Sequence, residues 1–523
     1  MRRSLLLCAL VGACAAPAGP VSVPAPGPDR EAEAAPPEPR PLVAEAELAA
    51  PAASAPVPVS SAAPPDTRPR IGSVRDITWI HAKPDASSRK IGQVRVGASV
   101  VTKGRPAVPT PSCPAGFVEV EPDGYVCANT TTTRDLDGEL FRALSLPAPR
   151  DDAPLPYRYA LSNGAPMYTK IPSREEQLKV EGPEDRRPNP GRLRWATGHE
   201  ELASDEPGGV AADSQVPDVF AGGKKAPVPW GRELRLVKKW IPHGSMLAFT
   251  RAFEADGRVW LLSTDLSIVP ADRVRPFRVS TFRGTPLGAD VALPIAWARH
   301  DPARRWVRRD GVFEAAGAPL PPRSFAALSG GKITLGERVF VATREPGVYL
   351  DAADVAIVER RETLPVGVEA GERWIDVHLR AGTLVAYEGE RPVFATLVSP
   401  GAGGVGPYRA SDAELVRLST TPLGLYRVGW KTRAAPMTPE GADPKKFWIA
   451  DVPDTQYFRG PFAIHTAYWH EDFGMPKSAG CINVSPADGR YLFGFTGPRV
   501  PDGWQGATPS AATGRGTTIA VSP

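Results

Sequence analysis

The 523-residue chain carries 60 prolines and 50 glycines, and this limits its fold more than any other feature. Proline removes a backbone donor and glycine weakens helix interiors, so a chain so rich in both does not build long helices. Between these breaks lie short apolar or alternating runs, such as Ile77-Thr78-Trp79-Ile80 and Trp374-Ile375-Asp376-Val377. Such runs read as strands joined by turns, and the expected fold class is mainly β. The length beyond the first 70 residues, about 450, accommodates two to four domains.

The ends and the charge narrow the setting. Met1-Arg2-Arg3 precedes the apolar run Ser4 to Val11, which is too short to span a membrane. It reads as an export signal over residues 1–14. Val11-Gly12-Ala13-Cys14 resembles a bacterial lipobox, which implies lipidation at Cys14. Ala13-Cys14-Ala15 also permits ordinary signal cleavage. The residue after Cys14 is Ala15 and not an aspartate, so the expectation is an exported, periplasmic protein lipid-anchored to the outer membrane. Residues 15–70 are Ala, Pro and Glu with few large apolar side chains and read as a disordered tether. The formal net charge is +4 with both signs mixed throughout, and no basic block points to nucleic acid. No metal-ligand spacing occurs among the seven histidines.

Several segments read as small β units. Residues 71–135 hold short alternating strands and resemble bacterial SH3-like barrels. Within them Cys113 and Cys127 stand fourteen positions apart. In an oxidising compartment they pair as a disulfide, and otherwise they remain free thiols. Residues 136–230 read as an irregular insert or linker, with 174–229 polar and rich in Gly and Pro. Residues 231–365 read as one or two further SH3-like modules. Gly257 to Val274 and Glu337 to Val355 share a strand-turn-strand pattern there. A last β-rich domain is expected over residues 373–505, followed by a tail, 506–523.

Chemistry concentrates between Ile464 and Asp488. Fifteen residues separate His465 from Cys481. A cysteine reacts as thiolate, and a neighbouring imidazole makes one, so the pair points to acyl transfer through a thioester. Gly480 allows close backbone approach ahead of Cys481. Ser485-Pro486-Ala487-Asp488 is a helix start: Ser485 caps, Pro486 suits the first position and Asp488 completes a capping-box-like contact. The helix is expected to stop before Gly497-Pro498.

The run Ser478-Ala479-Gly480-Cys481-Ile482-Asn483, with His465 upstream, resembles the signature of the YkuD-type L,D-transpeptidases, which crosslink bacterial peptidoglycan. Ala479 departs from it, since the family has a second histidine there, and Thr466 stands where many members have Gly or Ser. The resemblance implies a YkuD-like catalytic domain behind SH3-like modules, with Cys481 as nucleophile and His465 as base. Gly480, Ser478 and Thr466 would support the loop or the oxyanion; Ser478 either holds the loop or orients His465. Asn483 either binds a substrate carbonyl or braces the loop. Tyr468, Trp469 and His470 line the substrate or fill the core, and His470 is a stand-in for the missing histidine. The implied substrates are peptidoglycan stem peptides, with an amine of a second stem or of an envelope protein as acceptor, and no cofactor is needed. Water as acceptor would make an L,D-carboxypeptidase, and loss of turnover through Ala479 would leave a wall-binding scaffold.

Overall fold

Strands form wherever β-branched and aromatic residues alternate between glycine- and proline-bearing turns, and the chain is mostly β. The computed structural model describes residues 67–75, 77–183, 198–227, 235–437 and 447–523. The export signal, Cys14 and nearly all of the 15–70 tether lie outside the described residues.

Two sheets frame the C-terminal region. The first has six strands in the order Thr285–Pro286, Arg391–Leu397, Thr383–Glu388, Arg373–His378, Thr518–Ser522, Gly424–Arg427. The expected tail, 506–523, therefore supplies an inner strand. Thr518–Ser522 runs parallel to Arg373–His378 and antiparallel to Gly424–Arg427. Its Ile519 and Val521 enter the core. A five-residue strand whose partners lie about 100 and 150 positions away leaves no local trace.

The second sheet pairs Trp430–Met437 with Ile449–Arg459, then Phe462–Thr466 antiparallel to that, then Ile482–Val484 parallel to Phe462–Thr466. Ile375, Val377, Leu384, Ile464, Ile482, Leu492 and Ile519 share the core between these layers. Helix Pro486–Phe495 packs against it. Ser485 caps the helix, its Oγ accepting from Asp488 N at 3.2 Å. Asp488 does not complete a capping box. Its carboxylate accepts from Gly284 N at 2.8 Å and from Thr396 Oγ1 at 2.5 Å, tying the helix to the first sheet. Burial pushes this carboxyl up to about 6. Replacing Asp488 by alanine leaves the Gly284 N–H without its acceptor and Thr396 with only its long bond to Leu397 O, at about 1–3 kcal/mol for the lost acceptor, and is expected to lower the urea midpoint accordingly.

The upstream units are built into this frame. In the first, Ile71, Ile80, Ile91, Val94, Val118 and Val126 form a core that also takes Trp504 and Ala507 from the C-terminal region. Cys113 and Cys127 form a disulfide between neighbouring strands. Residues 136–230 are not a linker in their described part. Strands Arg158–Ser162 and Ala165–Tyr168 pair with Met246–Ala255 and Val237–Ile241, and helices Glu139–Ser145 and Arg174–Glu181 flank them. Their partners lie about 70 residues or more downstream, which hid them from local pattern. Residues 295–358 make a separate seven-stranded sheet with its own core around Ala296, Leu328, Val341 and Leu350.

Candidate active site

Register places the reactive residues together. Ile464 stands opposite Ile482 and His465 opposite Asn483 on the parallel pair, so Ala463 stands opposite Cys481 one step earlier. Side chains alternate across a strand. Phe462, Ile464, Ile482 and Val484 therefore enter the core, while Ala463, His465, Cys481 and Asn483 share the other face. Neighbouring strands thus bring thiol and imidazole to one surface, diagonal to each other.

The cysteine loop is held on every side. Ser399 exchanges both backbone hydrogen bonds with Asn483 at 2.9 Å. Pro400 O accepts from Lys477 N and Ser478 N at 2.8 and 3.0 Å, and Ser478 O accepts from Ala402 N at 2.8 Å. Ser478 Oγ donates to Cys481 O at 2.5 Å and accepts from Gly480 N at 3.0 Å. Ser478 thus holds the loop and makes no bond to His465. Gly480 has φ +126°, and a Cβ there would lie 2.6 Å from the Phe462 ring. Because its N–H is taken by Ser478, Gly480 supports the loop and is not an oxyanion donor. The N–H of Cys481 makes no hydrogen bond among the described residues and is the donor left for that role.

His465 is 3% exposed. Its Nδ1 lies 3.1 Å from Thr466 O. A carbonyl only accepts, so Nδ1 carries the proton, and burial holds the ring neutral by lowering its pKa to about 4. Nε2 is then the basic nitrogen. Thr466 contributes its carbonyl in this way, while its hydroxyl turns inward to Asp454 Oδ2 at 2.9 Å. Cys481 is partly exposed. Its Sγ contacts Pro461 O at 3.7 Å. Desolvation pushes the thiol up to about 11, partly offset by the Ala463 N–H. The free site therefore holds thiol and neutral imidazole, not an ion pair.

Comparison with known proteins fits this geometry. Residues 372–518 match the family model of the YkuD L,D-transpeptidase catalytic domain. These residues form a YkuD-type L,D-transpeptidase catalytic domain. Among solved structures, an L,D-transpeptidase from Xylanimonas cellulosilytica is 21% identical over 31% of this chain and 65% of that one, with a TM-score of 0.20. One from Enterococcus faecium is 18% identical over 29% and 50%, with a TM-score of 0.21. One from Mycobacterium smegmatis is 17% identical over 44% and 81%, with a TM-score of 0.21. The chain spans less than two thirds of the length of the first two. No curated protein matches the chain.

The remaining expected site residues of the transpeptidase domain divide. Asn483 is 2% exposed, and its amide lies 2.9 Å from His470 Nε2. The Asn483 atom facing His470 Nε2 is Nδ2, and Asp472 N donates to His470 Nδ1 at 3.2 Å. Asn483 thus braces the loop through its side chain and its backbone. His470 is fully buried with its pKa lowered to about 3, and both ring nitrogens are occupied, so it does not replace the histidine missing at 479. Ala479 itself is exposed. Tyr468 is also core: it stacks on Tyr159 at 3.7 Å and donates to Ala450 O at 2.9 Å. Tyr468, which also meets Phe277, fills the seam between the transpeptidase domain and the upstream sheets, a surface that no local pattern reveals. Glu471 seals the same seam through Arg278 and Arg323, at 3.0 and 3.3 Å. Trp469 alone of the aromatic group lies beside His465, with ring centroids 5.9 Å apart.

One neighbour escaped the sequence reading. Tyr457 pairs with Ala463 on the adjacent strand and so shares the face of Cys481. Burial, and then the neighbouring Cys481, push its phenol up to about 12. A register shift between Tyr457 and Arg459 turns Tyr457 to this face, so plain alternation counted back from the Gly460-Pro461 turn would have missed it.

Proposed function

We propose that this protein is a peptidoglycan L,D-transpeptidase working through a thioester on Cys481. The observation that carries this is the shared face of Cys481 and His465 on adjacent parallel strands, with His465 Nε2 left basic. His465 takes the thiol proton as the sulfur attacks the carbonyl on the L-centre of meso-diaminopimelate in a tetrapeptide stem. The C–N bond to the terminal D-alanine breaks, and D-alanine leaves with the proton. The developing oxyanion is met by the Cys481 N–H. An amine of a second stem then displaces the sulfur to give a 3→3 crosslink, or an amine of an envelope protein does so. We place the protein in the periplasm, tethered to the outer membrane through Cys14, with its upstream β units acting as SH3-like wall-binding modules.

Intact-protein mass after exposure to a carbapenem and then to a tetrapeptide stem tests the reading. The expected result is one carbapenem adduct per chain, release of D-alanine from the stem, and neither with Cys481→Ala. Crosslinks formed by the Cys481→Ala protein would overturn it.

A further inference from the structure

A cavity of about 580 Å³ lies where the first β unit, the second and the strand Ile449–Arg459 meet. Neither Cys481 nor His465 lines it. Its volume is in the range that encloses a small organic ligand. Leu144, Met167, Ile241, Leu247, Leu266 and Trp448 give it an apolar floor. Five charged groups face it: Arg95, Lys238, Lys239, Asp265 and Asp451. Two of the five neutralise each other, Lys238 pairing with Asp265 at 2.9 Å. Asp451 is held by Thr264 Oγ1 at 2.6 Å, and burial raises its carboxyl pKa. Lys239 Nζ lies 4.3 Å above the Trp448 ring; Asp265 attracts it at longer range, and no carboxylate lies within ion-pair distance of it among the described residues. Arg95 makes no ion pair or hydrogen bond among them either. Lys239 and Arg95, attracted at longer range by Asp265 and Asp451 but bonded directly to neither, thus border an apolar floor and leave their donors open to the acidic end of an amphipathic ligand.

We propose that this cavity binds an amphipathic carboxylate, its apolar body on the Leu247–Trp448 floor and its carboxylate at Lys239 and Arg95. Two sources share that chemistry: a fatty acid and a short peptide with a free C-terminus. Titration calorimetry on the full chain carrying Cys481→Ala, which prevents turnover, tests it with two probes, dodecanoate and the tetrapeptide L-Ala-γ-D-Glu-meso-diaminopimelate-D-Ala. At least one probe is expected to bind, about tenfold more weakly in Lys239→Glu and in Arg95→Glu and near normally in Lys239→Arg. Dodecanoate bound alone assigns the lipid source, and the tetrapeptide bound alone assigns the peptide source. No binding of either probe below about 1 mM, or binding that both charge reversals leave unchanged, overturns the proposal. Lys239 is exposed, so its reversal leaves the fold intact.

Discussion

Replacing His465 by alanine is expected to slow acylation of Cys481 by about 10²–10⁴-fold near neutral pH. The free thiol, with its pKa near 11, is ionised in only about one molecule in 10⁴ at pH 7. Attack at neutral pH therefore depends on a base that takes the proton as the bond forms. The pH profile distinguishes this role from a structural one. His465 is deprotonated above about 4, so the wild-type rate is expected to be level through neutrality and to fall as pH drops through that value. In His465→Ala the rate depends on thiolate alone. It rises about tenfold per pH unit until the thiol titrates near 11. Single-turnover carbapenem acylation followed by mass across this range checks both slopes. A level profile in the variant would show that His465 is not the base.

Gly480→Ala is expected to be nearly as damaging without touching either reactive group. The backbone at Gly480 has φ +126°, which side-chain-bearing residues rarely adopt. A Cβ would meet the Phe462 ring at 2.6 Å and Thr420 O at 3.0 Å. Phe462 belongs to the core beneath the histidine strand and cannot retreat, so the loop must shift and carry Cys481 with it. A displacement of about 1 Å at a reacting atom costs on the order of 10²-fold, and the backbone strain adds about 1–3 kcal/mol of instability. Acylation rate and urea midpoint measured on the same preparation separate the two effects. Unchanged acylation in a destabilised protein would show that the loop does not position the thiol.

Legibility followed distance along the chain. Gly480, Cys481, Ser485 and Pro486 lie within seven residues, and their tight turn and helix cap were readable because turns and caps are local. Asp488 shows where local reasoning ends. Its position suits a capping box, yet its carboxylate reaches Gly284 and Thr396. For Asn483, Tyr468 and His470 the sequence left a substrate-facing and a bracing or core role equally open for the same reason. Polar and aromatic side chains near a nucleophile serve a cleft or a core equally well, and the covering sheets decide which.

By itself the sequence determined a β-rich chain, through its proline and glycine content, and a cysteine on a tight turn that leads into a capped helix. These rest on backbone preference and short-range spacing, which residue identity specifies directly. Only the tertiary structure decided that His465 and Cys481 share one face and that Thr518–Ser522 lies inside the first sheet. Each depends on strand register and on contacts between segments far apart in sequence, and a one-residue slip in register would turn every one of those side chains to the opposite face.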